Sequence, residues 1–364
     1  MPIFMDLHIV PGVIAEHVAG AHQEDLRIQS DYGCRVMTYW VDEDRGSAFC
    51  LIDAPDKEAV IKMHNDAHGL IPHEIIEVNS STVHAFLGRI KYPENYSVSA
   101  ETGLKIFNDP AFRIILVITT MNARILEHRF GATIAQEQLY RFNRIVKEKI
   151  VDNQGRLVEM EGEGFVISFV SGSLAHKCAL AIQEEVNDFA EKFGLQMSLN
   201  AGLPVDESDR LFGTTIEFAR YLCHIAKSNQ IVISSIVDEL TKPDNKKKSS
   251  SNNQKRMTIT EEKFLDSLMT TLESNWHDSN FTVDKFCDAL SLSKSQFYRK
   301  CVIITKKSPN NLIREYRLLK SLHILKAGLN ISETTFETGF SSPSYFSKCF
   351  QRHFGLLPKE YLKI

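Results

Sequence analysis

Long apolar runs are missing from this chain. Stretches such as IILVI at 114–118 fall far short of the roughly 20 residues that a bilayer-crossing helix needs, so no membrane span is expected. The opening MPIFMDLH has no basic region followed by an apolar one, so no secretory signal is expected either. Cysteine is sparse: seven residues, an odd number, scattered from Cys34 to Cys349 without a C-x-x-C pair. Reduced thiols in a cytoplasmic protein are the expected reading. With 43% hydrophobic and 24% charged residues, the composition excludes wholesale disorder, and 364 residues suffice for two or three domains.

What is present is a charge asymmetry. Residues 1–241 hold 21 Lys+Arg against 34 Asp+Glu, a net of −13, and residues 242–364 hold 21 against 12, a net of +9; together they give the overall −4. A basic C-terminal third on an acidic body implies that only the tail meets a polyanion.

The segment TKPDNKKKSSSNNQKR, 241–256, contains no apolar residue and reads as a flexible linker. A weaker break, KYPENYSVSAETG at 91–103, is punctuated by Pro93, Asn95 and Ser97. Three blocks follow: 1–90, 104–240 and 257–364. In the first, IFMDLHIV alternates, with Phe4, Asp6 and His8 on one face and Met5 and Leu7 on the other. A helical stretch ending at Gly33, the strands RVMTYWV and SAFCLID, a second helix DKEAVIKMHNDAHG and the strand EIIEV complete the block. This β-α-β-β-α-β order predicts a ferredoxin-like sheet.

In the C-terminal block, VDKFCDALSLSKSQFYRKC at 283–301 fits helix, tight turn, helix, with Ser293 as N-cap. ISETTFETGFSSPSYFSKCF repeats the pattern, with Gly339 in the turn and Pro343 at the first helical position. Phe297 and Cys301, and likewise Phe346 and Phe350, should point inward. That leaves Lys294, Ser295, Gln296, Tyr298, Arg299 and Lys300 on one helix, and Ser344, Tyr345, Lys348 and Arg352 on the other, to face double-stranded DNA. Arg and Gln pair with base edges, and Lys neutralises phosphate. The phrase FETGFSSPSYFSKCFQRHFGLLPKEY resembles the C-terminal signature of AraC-type transcription regulators, over residues 258–364. The resemblance implies an all-α double helix-turn-helix domain. Two positions depart from the family pattern: Lys306 stands where Gly is usual, and Thr335 where a small Ala packs.

The middle block predicts an α+β unit. Its phrases EGEGFVISF, LFGTTIEFARYL and SNQIVISSIVDEL resemble the class III adenylate/guanylate cyclase domain over 112–240. Such a cyclase holds two metal ions on two aspartates. Here Thr119 and Glu163 stand in those places, and Glu217 and Tyr221 fall near the expected Asn and Arg. The resemblance therefore implies a degenerate cyclase, not an enzyme, serving for dimerisation or ligand sensing.

Seven of the thirteen histidines lie in the first block: His8, His17, His22, His64, His68, His73 and His84. His64 and His68, four apart on a helix, can reach one ion. Imidazole-rich sites suit nickel, zinc, copper or cobalt. One reading sets His8 apart: if Met5 and Leu7 pack under the helices, His8 faces away from His64. The phrases MDLHIVPG, AHQEDLRIQSDYG, FCLIDAPDKEAV and HNDAHGL resemble a family of small ferredoxin-like nickel-binding proteins. The resemblance implies a metal site drawn from His8, His22, His64 and His68, with Cys50 and Asp25 in reserve.

The combined expectation is a homodimeric α+β transcription regulator: a ferredoxin-like metal-binding domain, a cyclase-like middle and a DNA-binding tail. A 16-residue polar tether would transmit orientation poorly, so coupling would act through dimerisation. The alternatives are a regulator whose signal is a nucleotide or other small molecule in the middle block, a metal-storage module, and an active cyclase using Mn²⁺ or Mg²⁺.

Overall fold

The computed structural model describes residues 1–161, 164–241 and 253–364, with side chains described outside 160–163. The N-terminal unit runs β1 (Ile3–Ile9), α1 (Ala15–Ile28), β2 (Arg35–Asp42), β3 (Ser47–Asp53), α2 (Lys57–His68), β4 (Glu74–Val78) and α3 (Ser80–Leu87). Its four strands form an antiparallel sheet in the order β2-β3-β1-β4, the ferredoxin-like arrangement. Asp56 caps α2 by accepting from the Ala59 N–H, and Gly69, at φ 77°, closes it. Helix α3 lies beyond the predicted β-α-β-β-α-β set.

Both faces of this sheet are covered, by different partners. Phe4, Val36, Cys50 and Ile52 pack with Val18, Ala19, Val60 and Met63 of α1 and α2. Met5, Leu7, Trp40, Phe49 and Leu51 pack instead with α3 and with Ile115, Val117, Val166 and Phe212 of the middle unit. The first two units are therefore joined across β1.

A connecting segment with a small hairpin, β5 (Ser97–Val98) and β6 (Lys105–Ile106), leads into the middle unit. That unit contains β7 (Arg113–Thr119), α4 (Ala123–Phe130), α5 (Ala132–Asp152), β8 (Arg156–Glu161), β9 (Gly164–Phe169), α6 (Gly172–Glu185), α7 (Ala190–Phe193), β10 (Gln196–Gly202), α8 (Gly213–Ile225), β11 (Gln230–Ile233) and α9 (Ser235–Thr241). Its sheet has the order β12-β11-β10-β7-β9-β8, where β12 is Gln254–Arg256. The expected flexible linker thus ends in a strand, parallel to β11. Strand pairing is a backbone property, so polar side chains at a sheet edge do not prevent it. Residues 242–252 of the expected linker lie outside the described residues.

The C-terminal unit is all helical: α10 (Ile259–Asn275), α11 (Val283–Ala289), α12 (Lys294–Thr305), α13 (Pro309–Lys326), α14 (Ile331–Glu337), α15 (Pro343–Phe354) and α16 (Pro358–Tyr361). Its first half shares a core with Tyr221, Leu222 and Ile225 of α8, through Leu265, Leu268 and Phe297. Its second half encloses Ile125 of α4 with Leu322, Phe346, Phe350 and Tyr361. Both halves are docked on the middle unit, which corrects the expectation of a tether that transmits orientation poorly.

Candidate metal centre and nucleic-acid interface

Strand β1 places Asp6 and His8 on the face covered by α1 and α2, whose packing brings His22, Asp25 and His64 over the same spot. All five are buried. Asp6, His8, Cys50 and His64 offer donor atoms within 4.8 Å of one another, as do His22, Asp25 and Cys50, and as do Asp25, His64 and His68. The reading that turned His8 away from His64 is overturned: their ring centroids are 5.0 Å apart. Met5 and Leu7 pack on the middle unit, not under the helices.

His64 is the hub. Its Nε2 lies 2.8 Å from Asp6 Oδ2, and its Nδ1 lies 3.0 Å from Asp25 Oδ1 and 3.1 Å from His68 Nε2. Burial alone would push its pKa down, but the hydrogen bonds to Asp25 and Asp6 outweigh it and raise the value to about 10. Burial likewise opposes the charge on Asp6 and Asp25, and their histidine neighbours hold both carboxyls below the usual range. Burial lowers His22 to about 4 and pushes the Cys50 thiol up. The Cys50 N–H donates to Asp6 Oδ1 at 2.7 Å, tying that carboxylate to β3.

The donors suit a divalent transition ion. Imidazole nitrogens are borderline ligands, a role His64 takes on giving up the proton that its two carboxylate neighbours hold, and two buried carboxylates supply compensating charge. His22 Nδ1 and Asp25 Oδ2 are buried without a hydrogen-bond partner, an arrangement that costs free energy until a cation satisfies both. Sequence reasoning held Asp25 in reserve and missed Asp6. The alternation of β1 carried the signal, since it sets Asp6 on the face of Phe4 and His8. His17, His73 and His84 are exposed and outside the cluster.

In the reading helices, Phe297, Cys301, Phe346 and Phe350 are buried as expected. Ser293 caps α12 by accepting from the Gln296 N–H, and Ser342 caps α15 by accepting from the Tyr345 N–H. Lys294, Ser295, Gln296, Tyr298, Arg299, Lys300, Ser344, Tyr345, Lys348 and Arg352 are all exposed. Several already have intramolecular contacts: Lys294 pairs with Asp284 at 2.7 Å, the Ser295 hydroxyl lies 3.3 Å from that of Ser293, Gln296 Oε1 accepts from the Ser293 N–H, Lys300 sits over the Phe264 ring, and Tyr345 packs on the Phe340 ring. Gly339 in the second turn has φ 72°, and a Cβ there would stand 2.8 Å from the Trp276 carbonyl oxygen. Lys306 adopts a left-handed conformation at φ 60°, the one for which the family uses Gly. Thr335 is fully buried, and its hydroxyl donates to the Ile331 carbonyl.

At the cyclase-like positions, the Tyr221 hydroxyl donates to Glu217 at 2.6 Å, and Tyr221 is packed beneath α10. Glu163 lies outside the described residues. Among the described residues, no helix is long and apolar enough to cross a membrane.

Comparison with known proteins agrees with both ends of the chain. Residues 4–78 match the family described as nickel responsive protein SCO4226-like, and residues 286–364 match a helix-turn-helix domain. The chain is 34% identical over 102 residues to histidine kinase P4 of Formosa agariphila, covering 28% of this chain and 7% of that protein. It is 33% identical over 101 residues to the transcriptional activator RhaR of Escherichia coli K12, covering 28% of this chain and 36% of that protein. It thus spans well under half the length of these relatives. Among solved structures, SCO4226 of Streptomyces coelicolor is 35% identical, covering 21% of this chain and 94% of that one, with a TM-score of 0.20. An adenylate/guanylate cyclase/hydrolase of Silicibacter pomeroyi is 22% identical, covering 38% of this chain and 83% of that one, with a TM-score of 0.33. The chain thus joins an N-terminal unit similar to the SCO4226-like proteins to a C-terminal unit that matches a helix-turn-helix domain, with an α+β unit between them.

Proposed function

We propose that this protein is a cytoplasmic transcription regulator, acting as a homodimer, whose DNA-reading helices answer to a nickel-type ion in the N-terminal unit. The observation that carries the reading is the cluster of the buried Asp6, His8, His22, Asp25, Cys50 and His64 with the half-buried His68. His8, His22, His64 and His68, with Asp6 and Asp25, would hold the ion, which supplies positive charge between two buried carboxylates. Cys50 orients Asp6 through its backbone N–H.

Packing supports a route from this cluster to DNA. The opposite face of the same sheet is shared with the middle unit, and α8 and α4 of that unit carry the two halves of the DNA-binding domain. A regulator of this kind requires the ion and the DNA to favour the same arrangement, and such linkage is reciprocal. The rival signal, a nucleotide in the cyclase-like unit, is disfavoured by the burial of Tyr221 beneath α10 and by the Glu217 carboxylate where a phosphate-facing donor would stand.

The test is a calorimetric titration of metal-stripped protein with Ni²⁺, free and DNA-loaded, beside the His64→Ala/His68→Ala variant. Tight binding lost in the variant and shifted by DNA is expected. Tight binding unchanged by DNA would make the ion structural. DNA binding indifferent to chelators would return the signal to the middle unit.

A further inference from the structure

The family match ends at residue 78, yet the cluster has a neighbour beyond it. Tyr92, in the connecting segment, places its hydroxyl 2.5 Å from His22 Nε2. The other ring nitrogen, Nδ1, is buried with no hydrogen-bond partner. A neutral imidazole carries one hydrogen, and the partner of one nitrogen sets which tautomer is present. If Tyr92 donated to Nε2, Nδ1 would carry a buried N–H that can neither be satisfied nor bind a cation. If Tyr92 accepts, Nδ1 is a bare lone pair that an ion can use.

Resting on the metal reading above, we propose that Tyr92 is a positioning residue for the metal centre: its phenol oxygen accepts the Nε2–H of His22 and reserves Nδ1 for the ion. A ligating histidine whose second nitrogen is held by a hydrogen-bond acceptor is a recurrent arrangement, and losing that acceptor typically weakens metal binding.

The segment is built to hold Tyr92 in place. Arg89 donates to Asp109 at 2.6 Å, to the Tyr39 carbonyl at 2.6 Å and to the Lys91 carbonyl at 3.0 Å. The Tyr39 hydroxyl donates to the Lys105 carbonyl at 2.9 Å, and the Lys105 ammonium stands 5.1 Å from the Tyr92 ring centroid. Tyr92 meets the His22 ring edge-on at 5.5 Å. The isolated 4–78 unit lacks this partner, so the full chain holds its ion more tightly than that unit could.

The experiment uses metal-stripped full-length protein in wild-type, Tyr92→Phe and His22→Ala forms. Ni²⁺ calorimetry should show Tyr92→Phe weakened by about 10–100-fold and His22→Ala at least as much. In parallel, ¹⁵N NMR of histidine-labelled, metal-free wild type should report His22 with Nε2 protonated and Nδ1 bare, and Tyr92→Phe should lose that preference. A merely structural role would lower the melting temperature without changing the tautomer. Wild-type binding that Tyr92→Phe leaves intact, or a protonated Nδ1 in the wild type, overturns the proposal alone. No Ni²⁺ uptake by the wild type overturns the metal reading and this proposal with it. The wild-type tautomer is decisive even if Tyr92→Phe folds poorly.

Discussion

His64 Nε2 lies 2.8 Å from Asp6 Oδ2, and the two side chains, 58 positions apart in sequence, are among the most buried polar groups in the protein. Each is tolerated because the other is there. Removing one partner of a buried charged pair typically costs about 3–5 kcal/mol, because the survivor stays desolvated. His64→Ala leaves Asp25 with His68 Nε2 at 3.2 Å and Asp6 with the Cys50 N–H, so urea unfolding of metal-free protein should show destabilisation toward the lower end of this range. A loss below about 1 kcal/mol would mean that the pair contributes little.

The interface between α8 and the C-terminal helical unit contains a pH-sensitive group. Burial lowers His224 to about 3, its Nε2 is sealed without a partner, and its ring meets Tyr316 of α13 edge-on at 5.6 Å. Lys307 and Lys320 nearby also oppose its protonation. A histidine whose folded value lies below its unfolded value of 6.5 costs nothing above that pH. As pH falls below 6.5 the unfolded chain takes up the proton and the folded one does not, so stability is lost. Between pH 6.5 and 5 the loss from this group should be about 1–2 kcal/mol. Urea midpoints for wild type and His224→Phe should diverge over that interval; parallel curves would acquit His224.

The seam at α4 offers a way to separate sensing from response. Ile125 is buried among Leu322, Phe346 and Phe350 of the second reading half. Arg129 donates to the Phe354 carbonyl at 3.4 Å, and Arg124 stands 5.3 Å from the Tyr361 ring centroid. Ile125→Asp places a carboxylate in that core and should undock this half. Ni²⁺ affinity should stay within about twofold of wild type, while the shift of that affinity by DNA should vanish. A retained shift would show that the α8 contact carries the coupling by itself.

At the reading helices, base-edge and phosphate contacts have different signatures. Arg299→Ala or Arg352→Ala should cost about 1–3 kcal/mol on the preferred sequence and relax selectivity at one position. Lys348→Ala should weaken all sequences alike and reduce the slope of log K against log salt by about 0.9. Fluorescence anisotropy across a salt series distinguishes the two, and an arginine variant with uniform losses would move that residue to the phosphate class.

Much of this architecture was legible because local chemistry wrote it. Ser293, Pro343 and Gly339 mark helix starts and a turn by hydrogen-bonding, by a preset backbone angle and by conformational freedom, and each serves where the pattern placed it. The buried side of β1 was harder to read. Met5 and Leu7 are apolar and Asp6 and His8 polar, so the strand looked half exposed, whereas the polar face is sealed under helices and the apolar face under a second unit. Alternation tells which residues share a face, not what will cover it. Tyr92 was invisible for a related reason: its aromatic ring in a Pro-punctuated segment carries no sign of a partner 70 residues away. The strand at 254–256 escaped because backbone pairing leaves no mark on Gln, Lys and Arg.

Strand β1 has one further consequence. Its even-numbered residues Asp6 and His8 sit in the cluster, and its odd-numbered residues Met5 and Leu7 sit in the seam with the middle unit. A one-residue slip would exchange the two sets outright, so the strand has no intermediate register to visit. It behaves as a stiff partition: a push on one side reaches the other as a tilt or a shift of the whole sheet. The stroke of such a device is small, and its fidelity depends on how little the partition bends.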